Sequence, residues 1–242
     1  IYYHYLLKDK SKTPILTRDI DLAVREKLPV IGLKTVDQLL SEAGLKSVFR
    51  TLDIPPIIHY EGMIEGYEVD IEFLTDQKGN RRDVVIEVQK GLHAEALRFL
   101  SVLVDNTIEV EIDDFPFREG EMKVRVPLPE AFILNKGLIF TRRLNRQKGA
   151  KDLYYIFDIL ANCPGLRRGI INGFIRLKER YPSWCGTFVR NLEVNFSDEM
   201  SNGVMQVIGQ RPAGSFGSLN EEQFRQYVLG TFLEFLDEMK SI

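Results

Sequence analysis

Apolar and acidic residues alternate strictly between Tyr67 and Phe73, in the first half of the chain. The odd positions hold Tyr, Val, Ile and Phe, whereas the even positions hold Glu68, Asp70 and Glu72. Side chains two residues apart on a strand project from the same face. The pattern therefore predicts a strand with one apolar face and one acidic face.

Weaker patterns predict further elements around this strand. A helix tail over 1–7 and a polar loop over 8–13 precede a strand over 15–24 that charged residues interrupt. Residues 36–44 have the spacing of a short amphipathic helix that ends at glycine, a common helix stop. Pro55 and Pro56 favour extended chain or an edge strand over 48–60. Strands are also predicted over 84–88, 108–112 and 122–126, while 94–104 suits either a helix or a strand.

The pattern of apolar residues along the chain changes after Pro127 and Pro129. Beyond them the spacing of apolar residues is mainly helical, over approximately 130–144, 151–162, 166–181 and 221–240. The glycine-containing segment 193–218 is less regular. We therefore predict an α+β protein with a boundary near Val126, an α/β part over 1–126 and a mainly helical part over 127–242.

Composition narrows the class of protein. With 44% hydrophobic residues among 242, the chain is able to bury a substantial core, and its formal net charge of −3 argues against general binding of polyanions. Two cysteines without a CxxC pairing argue against a zinc ribbon or a disulfide scaffold. No apolar stretch is long enough to span a membrane and no secretory leader is recognisable, so a cytoplasmic protein without a membrane partner is expected.

The run Thr17-Arg18-Asp19-Ile20-Asp21-Leu22 carries the most informative chemistry. On a strand, Asp19 and Asp21 project together from one face, and two carboxylates held so close repel each other unless a cation lies between them. Mg²⁺, or Mn²⁺, takes oxygen ligands and also binds phosphates. Two such ions clamp the attacking and leaving oxygens of an in-line displacement. The alternative is an ordinary solvated polar face.

A third carboxylate on a neighbouring strand would complete such a site. Asp70 is the candidate, because it lies in the middle of the acidic face of its strand. Glu68 and Glu72 share that face and are weaker candidates. We therefore predict Asp19, Asp21 and Asp70 as catalytic residues and metal ligands.

The run from Thr17 to Asp21 resembles the T-x-D-[IL]-D signature of the polymerase-beta-like nucleotidyltransferase superfamily. The later run from Val126 to Leu153 extends the likeness to a subgroup of bacterial nucleotidyltransferase-fold proteins that includes abortive-infection-type toxins. The resemblance implies a mixed-sheet nucleotidyltransferase domain that moves a nucleoside monophosphate from a nucleoside triphosphate to an acceptor. It also implies that Lys136 and the Lys-Asp-Leu sequence at Lys151 and Asp152 supply substrate-binding groups. Lys136 stands in an otherwise apolar stretch, where an ammonium loses hydration and needs an anionic partner, so we expect it to face the cleft of the Asp19–Asp21 strand.

The family also has a Gly-Gly or Gly-Ser turn before the strand of the two aspartates, and no such turn occurs between Ile1 and Asp19. A non-catalytic binding or regulatory protein of the same fold is therefore an alternative. A metal-dependent nuclease is a second alternative, because Asp70 followed by Glu87-Val88-Gln89-Lys90 is faintly similar to a D…E-x-K arrangement. That alternative leaves Asp19 and Asp21 unused and has glutamine where lysine is needed.

A basic region spans 136–180, where eleven lysines and arginines face only three acids. Such a region suits a triphosphate, or an RNA or protein acceptor. Lys136 and Arg143 are seven residues apart, so on one helix they would share a face and reach one phosphate chain. Asp152 is predicted to lie in the first turn of its helix, where the helix dipole alone would favour it. No role is predicted for His4, His59, His93, Cys163 or Cys185, and Trp184 is predicted to have a packing role.

Overall fold

The computed structural model describes residues 19–49, 58–64, 66–77, 79, 85–112 and 122–242. The helix tail over 1–7 and the loop over 8–13 lie outside the described residues. The described chain falls into two units, 19–105 and 106–242. This division precedes the boundary that the sequence predicts near Val126, because the strands after Asn106 group with the helices.

The first unit holds a six-stranded mixed sheet. Its order is β2-β3-β4-β6-β5, and β1 also pairs with β4. The β1–β4 and β4–β6 pairs are parallel, and the other pairs are antiparallel. The strands are β1 Asp19–Ala23, β2 Lys46–Phe49, β3 Ile58–Ile64, β4 Tyr67–Asp76, β5 Val85–Gln89 and β6 Leu92–Leu97; the helices are α1 Val36–Glu42 and α2 Ser101–Asp105.

The central strand β4 is buried on both faces over part of its length. Ile71 and Phe73 belong to the core, which confirms the predicted apolar face. Asp70, on the acidic face, is also buried, with only 7% of its surface exposed. The acidic face of β4 is therefore not an ordinary solvated face at this position.

Local chemistry explains the predicted helix α1 and its attachment to the sheet. Thr35 and Gln38 form a reciprocal capping box at its start, and Gly44, with φ of 86°, takes the left-handed conformation after its end. The Gln89 amide donates to the Pro29 carbonyl at 3.0 Å and accepts from the Val36 amide at 2.7 Å. These two hydrogen bonds attach Pro29 and the first residue of α1 to the end of β5.

The second unit begins with a hairpin and continues as helices. β7 Thr107–Ile112 pairs antiparallel with β8 Met122–Pro127, as the sequence predicts for that region. The helices are α3 Pro129–Ile139, α4 Arg146–Asn162, α5 Arg167–Arg180, α6 Pro182–Asn195, α7 Asn202–Gly209 and α8 Glu221–Lys240, with 3₁₀ turns at Phe140–Arg142 and Pro164–Leu166. The protein is therefore α+β, with a mixed sheet followed by a helical region.

Aromatic side chains fill the core of the helical unit. Phe174 stacks on Phe188 with ring centroids 5.3 Å apart, and Phe235 packs edge-on against both rings. None of the described helices is long and apolar enough to cross a membrane.

The segment 193–218 is less regular than its neighbours, as the sequence predicts, but it also contains helical residues. Helix α6 extends to Asn195, and α7 occupies 202–209. A Cβ at Gly203 would collide with the Asn195 carbonyl oxygen, so this glycine permits close packing of α7. Gly203 therefore serves a close contact of α7 with the end of α6.

Candidate functional site

The parallel pairing of β1 with β4 brings the predicted acids to neighbouring strands. Asp19 is the Cα partner of Asp70, and Asp21 is the Cα partner of Glu72. Residues paired across a sheet project from the same face, so Asp21, Asp70 and Glu72 share one face. The backbone of Asp19 is part of β1, but its side chain lies outside the described part of the chain.

The Asp70 carboxylate lies next to a histidine to which the sequence assigned no role. His59 Nδ1 is 3.0 Å from Asp70 Oδ1 and 3.6 Å from Glu72 Oε1. His59 is on β3, directly across from Glu72. A signal for this contact was present in the sequence, because an antiparallel register that pairs Ile64 with Tyr67 also pairs position 59 with position 72.

The donor chemistry of this face suits a divalent metal ion. Carboxylate oxygens are the ligands that Mg²⁺ takes in proteins, and Asp21, Asp70 and Glu72 supply them. Among the described side chains, no group of three or more His, Cys, Asp or Glu residues is arranged to hold a metal ion. Asp19, the remaining predicted ligand, is the Cα partner of Asp70 through the backbone of β1.

The arrangement disfavours the nuclease alternative. Glu87 is on β5, and β6 lies between β5 and the strand of Asp70, so roughly 10 Å of sheet separates the two strands. The Glu87 carboxylate accepts from the Gly91 amide at 2.9 Å, and Gln89 holds the backbone of Pro29 and Val36. Glu87 and Gln89 thus have local structural partners.

Two of the predicted nucleotide-binding cations in the helical unit meet at one buried carboxylate. Lys136 Nζ lies 3.0 Å from Asp152 Oδ1, and Arg143 Nε lies 2.9 Å from Asp152 Oδ2. The Asp152 side chain is 4% exposed and that of Lys136 is 17% exposed. We call Lys136, Arg143, Lys151 and Asp152 the Asp152 cluster.

Aromatic rings complete the surroundings of Lys136. Its ammonium lies 5.2 Å from the centroid of the Phe132 ring and 5.7 Å from that of Tyr155. The Lys151 ammonium lies 5.6 Å from the same Tyr155 ring. An ammonium over an aromatic face is attracted by the ring quadrupole. The cluster thus holds Lys136 and Arg143 beside one carboxylate, and Lys136 and Lys151 beside one tyrosine ring.

The structure contradicts the helix boundaries on which two predictions about this cluster were based. Helix α4 begins at Arg146 rather than near 151, with Asn145 as its N-cap, so Asp152 is beyond the first turn and the helix dipole does not explain it. Lys136 and Arg143 do not share one helix, because α3 ends at Ile139 and a 3₁₀ turn follows. They meet because Asp152 binds both.

Glutamate side chains form ion pairs with some of the arginines of the basic region. Arg167 Nε pairs with Glu238 at 2.8 Å, and Arg176 Nη2 pairs with Glu130 at 3.2 Å. Lys148 and Lys151, by contrast, line an open depression together with Asn145, Gln147 and Gln210. Part of the positive charge of the basic region therefore lies beside this depression at the start of α4.

The comparisons with known proteins agree with the signature around Asp19 and Asp21. A sequence model of the family described as Nucleotidyltransferase matches residues 4–162. This range includes β1, β4 and the Asp152 cluster, and it ends with α4. Neither the curated proteins nor the solved structures compared with the chain gave a significant match. Because the family model covers more than half of the chain, the protein belongs to the nucleotidyltransferase family.

Proposed function

We propose that this protein transfers a nucleoside monophosphate from a nucleoside triphosphate to an acceptor, in a reaction that needs Mg²⁺ or Mn²⁺. The observation that carries the proposal is the parallel β1–β4 pairing, which sets Asp19 against Asp70 and Asp21 against Glu72. Membership of the nucleotidyltransferase family supports the type of reaction.

In this proposal Asp19, Asp21 and Asp70 hold the metal. A divalent ion in that position would neutralise charge on the triphosphate and on the oxygens of the displacement. The carboxylates themselves fix the position of the ion, because they project from ordered strands rather than from loops. Glu72 is the additional acid that the register favours.

The Asp152 cluster is proposed to bind the phosphates of the nucleotide. The cluster contains one carboxylate and three cations, so it retains positive charge for an anionic ligand. Lysine acts towards phosphate as a compact point charge, whereas arginine offers a planar fork of donors. Asp152 would position Lys136 and Arg143 before the ligand arrives, which lowers the cost of ordering them on binding.

The acceptor is proposed to be RNA, a protein or a small molecule that approaches the basic region. Transfer to cellular RNA or protein would also fit the likeness of the sequence to abortive-infection-type toxins. Expression of the wild-type chain in growing bacteria should then slow growth. Expression of Asp21→Asn at the same level should not.

Incubation of the purified full chain with labelled triphosphates, Mg²⁺ and a cell extract tests the proposal. Wild-type protein should label an acceptor, and Asp19→Asn or Asp21→Asn should abolish labelling, because the phosphoryl charge would lose its metal. Glu111→Gln, which removes a strand carboxylate from the other unit, is the matched control and should retain activity.

Each alternative gives a different result in this assay. A non-catalytic member of the family would bind triphosphate without labelling any acceptor. A nuclease would shorten added nucleic acid without needing triphosphate. Near-normal labelling by Asp21→Asn would contradict the assignment of the metal site.

A further inference from the structure

His59 is wholly buried in β3, beside the acidic face of β4. None of its surface is exposed, and its Nδ1 atom is 3.0 Å from Asp70 Oδ1. Strand β3 borders β4 on one edge and β1 borders it on the other, since Glu61 and Asp19 are the two Cα partners of Asp70. Asp70 therefore lies between the strand of His59 and the strand of Asp19 and Asp21.

Few other contacts with the described residues explain the burial of the His59 imidazole. Within the described chain, neither ring nitrogen of His59 makes a hydrogen bond of good geometry, and the Nδ1–Oδ1 approach is a close contact rather than an aligned bond. Buried polar groups in folded proteins are nearly always hydrogen-bonded, and exceptions concentrate at functional positions. Hydrogen bonds at catalytic carboxylates are often misaligned without ligands and tighten when the ligands bind.

The tautomer follows from this contact. Two lone pairs 3.0 Å apart would repel, so the nitrogen beside the carboxylate carries the proton. An Nδ1–H directed at one Asp70 oxygen restricts rotation of the carboxylate. Groups that hold metal ligands in this way affect metal affinity without touching the metal.

We propose that His59 is a positioning residue that orients the Asp70 carboxylate for metal binding through its Nδ1–H. This inference rests on the proposed function, because it takes Asp70 as a metal ligand. The proposed role belongs to Nδ1 alone, because Nδ1 is the ring nitrogen beside Asp70. Variants that keep a donor at the position of one ring nitrogen or the other therefore test it.

Asparagine and glutamine separate the two ring nitrogens. The side-chain amide nitrogen of asparagine occupies nearly the position of Nδ1, whereas that of glutamine occupies nearly the position of Nε2. His59→Asn therefore keeps a donor beside Asp70, and His59→Gln moves the donor away. Both substitutions remove the ring and its packing, so each is a control for the other.

The experiment is titration of the full-length protein with Mn²⁺, followed by electron paramagnetic resonance of the free ion. His59→Gln should weaken Mn²⁺ binding about 10–100-fold, the usual effect of losing a group that orients a metal ligand. His59→Asn should bind nearly as well as the wild type. Urea unfolding followed by circular dichroism measures the packing loss in both variants.

Two results would overturn the inference. One is wild-type Mn²⁺ affinity in His59→Gln, and the other is equal weakening in both variants, which would show that only the ring volume matters. Asp70→Asn tests the underlying proposal separately. If Asp70→Asn binds Mn²⁺ normally, the proposed metal site fails; if it loses Mn²⁺ while His59→Gln does not, only the role of His59 fails.

Discussion

At the scale of single residues, two buried carboxylates of the helical unit have different surroundings. Asp152 contacts two cations, Lys136 and Arg143, at 3.0 and 2.9 Å. Glu130, only 4% exposed, pairs with Arg176, whose side chain is 64% exposed. Burial raises the pKa of Glu130, and the opposing effects of its own backbone hydrogen bond and of Arg176 do not cancel that rise. The folded protein thus holds a proton on Glu130 more tightly than the unfolded chain does.

The raised pKa of Glu130 predicts a pH dependence of stability. Between the unfolded pKa, near 4.5, and the higher folded pKa, the native state binds more protons, so the free energy of unfolding falls as pH rises through this window. Glu130→Gln keeps the shape of the side chain and removes this titration. Relative to Glu130→Gln, the wild type should therefore lose stability as the pH rises above about 4.5 and through the folded pKa of Glu130.

Urea unfolding of the two proteins at several pH values measures this difference. Glu234→Gln, on the α8 helix, serves as a comparison because its carboxylate is exposed. Parallel stability curves for wild type and Glu130→Gln would contradict the prediction.

Individual residues also show where reasoning from sequence succeeds and fails. The alternation from Tyr67 to Phe73 placed Asp70 correctly on the opposite face from Ile71. It did not predict the burial of Asp70, since that depends on strands β1 and β3 on either side, and pairing is not visible in one strand's pattern. The two cations on Asp152 come from outside its helix, so a local argument from the helix dipole missed them.

At the scale of elements, helix α5 has two glycines one turn apart in different surroundings. A Cβ at Gly173 would collide with the Glu130 carboxyl group, whereas a Cβ at Gly169 would meet nothing within 4 Å. Gly173 therefore lets α3 and α5 approach each other, and Gly169 has no such packing role. The Glu130–Arg176 pair connects the same two helices.

This contrast predicts opposite effects of the same substitution. Gly173→Ala should destabilise the protein by about 1–3 kcal/mol, because the buried Glu130 has little room to move. Gly169→Ala should stabilise it by up to about 0.5–1 kcal/mol, because alanine loses less backbone entropy in a helix. Chemical denaturation of both variants measures the difference, and equal changes in stability would contradict it.

The accuracy of the predicted elements depended on how many residues carried one period. The pattern over 221–240 is long, and the prediction matches α8 at both ends. The pattern over 94–104 gave no decision because it spans two elements: β6 ends at Leu97 and α2 starts at Ser101. Phe99 between them has a φ of 65°, a reversal that a phenylalanine does not signal in sequence.

At the scale of the whole molecule, nucleotide binding should be visible as added stability. A ligand that binds only the folded state at about 100 times its dissociation constant adds about 2.7 kcal/mol. A non-hydrolysable triphosphate with Mg²⁺ should therefore raise the unfolding temperature of the wild type. In Lys136→Ala the gain should shrink, because one charge-assisted contact contributes about 1.5–3 kcal/mol to binding.

Calorimetric unfolding, with titration of the same ligand, tests this prediction. Lys136→Arg should retain more affinity than Lys136→Ala but less than the wild type, because arginine keeps the positive charge and replaces the compact ammonium with a planar guanidinium. Arg168→Ala is the control, because Arg168 is an exposed cation of the basic region outside the Asp152 cluster. Unchanged affinity in Lys136→Ala would show that Lys136 does not bind the nucleotide. Arg167 is unsuitable as a control, because its pairing with Glu238 joins α5 to α8.

The stacking of Trp184 on Tyr181 has a practical consequence for all these measurements. Trp184 is the only tryptophan, and its ring centroid lies 4.8 Å from that of Tyr181 in the helical unit. Both cysteines are buried in that unit as well, and burial raises the pKa of the Cys185 thiol to about 11, which slows alkylation of the folded state. Tryptophan fluorescence and thiol labelling therefore report on the helices, whereas substitutions at Asp21, His59 or Asp70 need a probe of the sheet, such as exchange of backbone amide hydrogens.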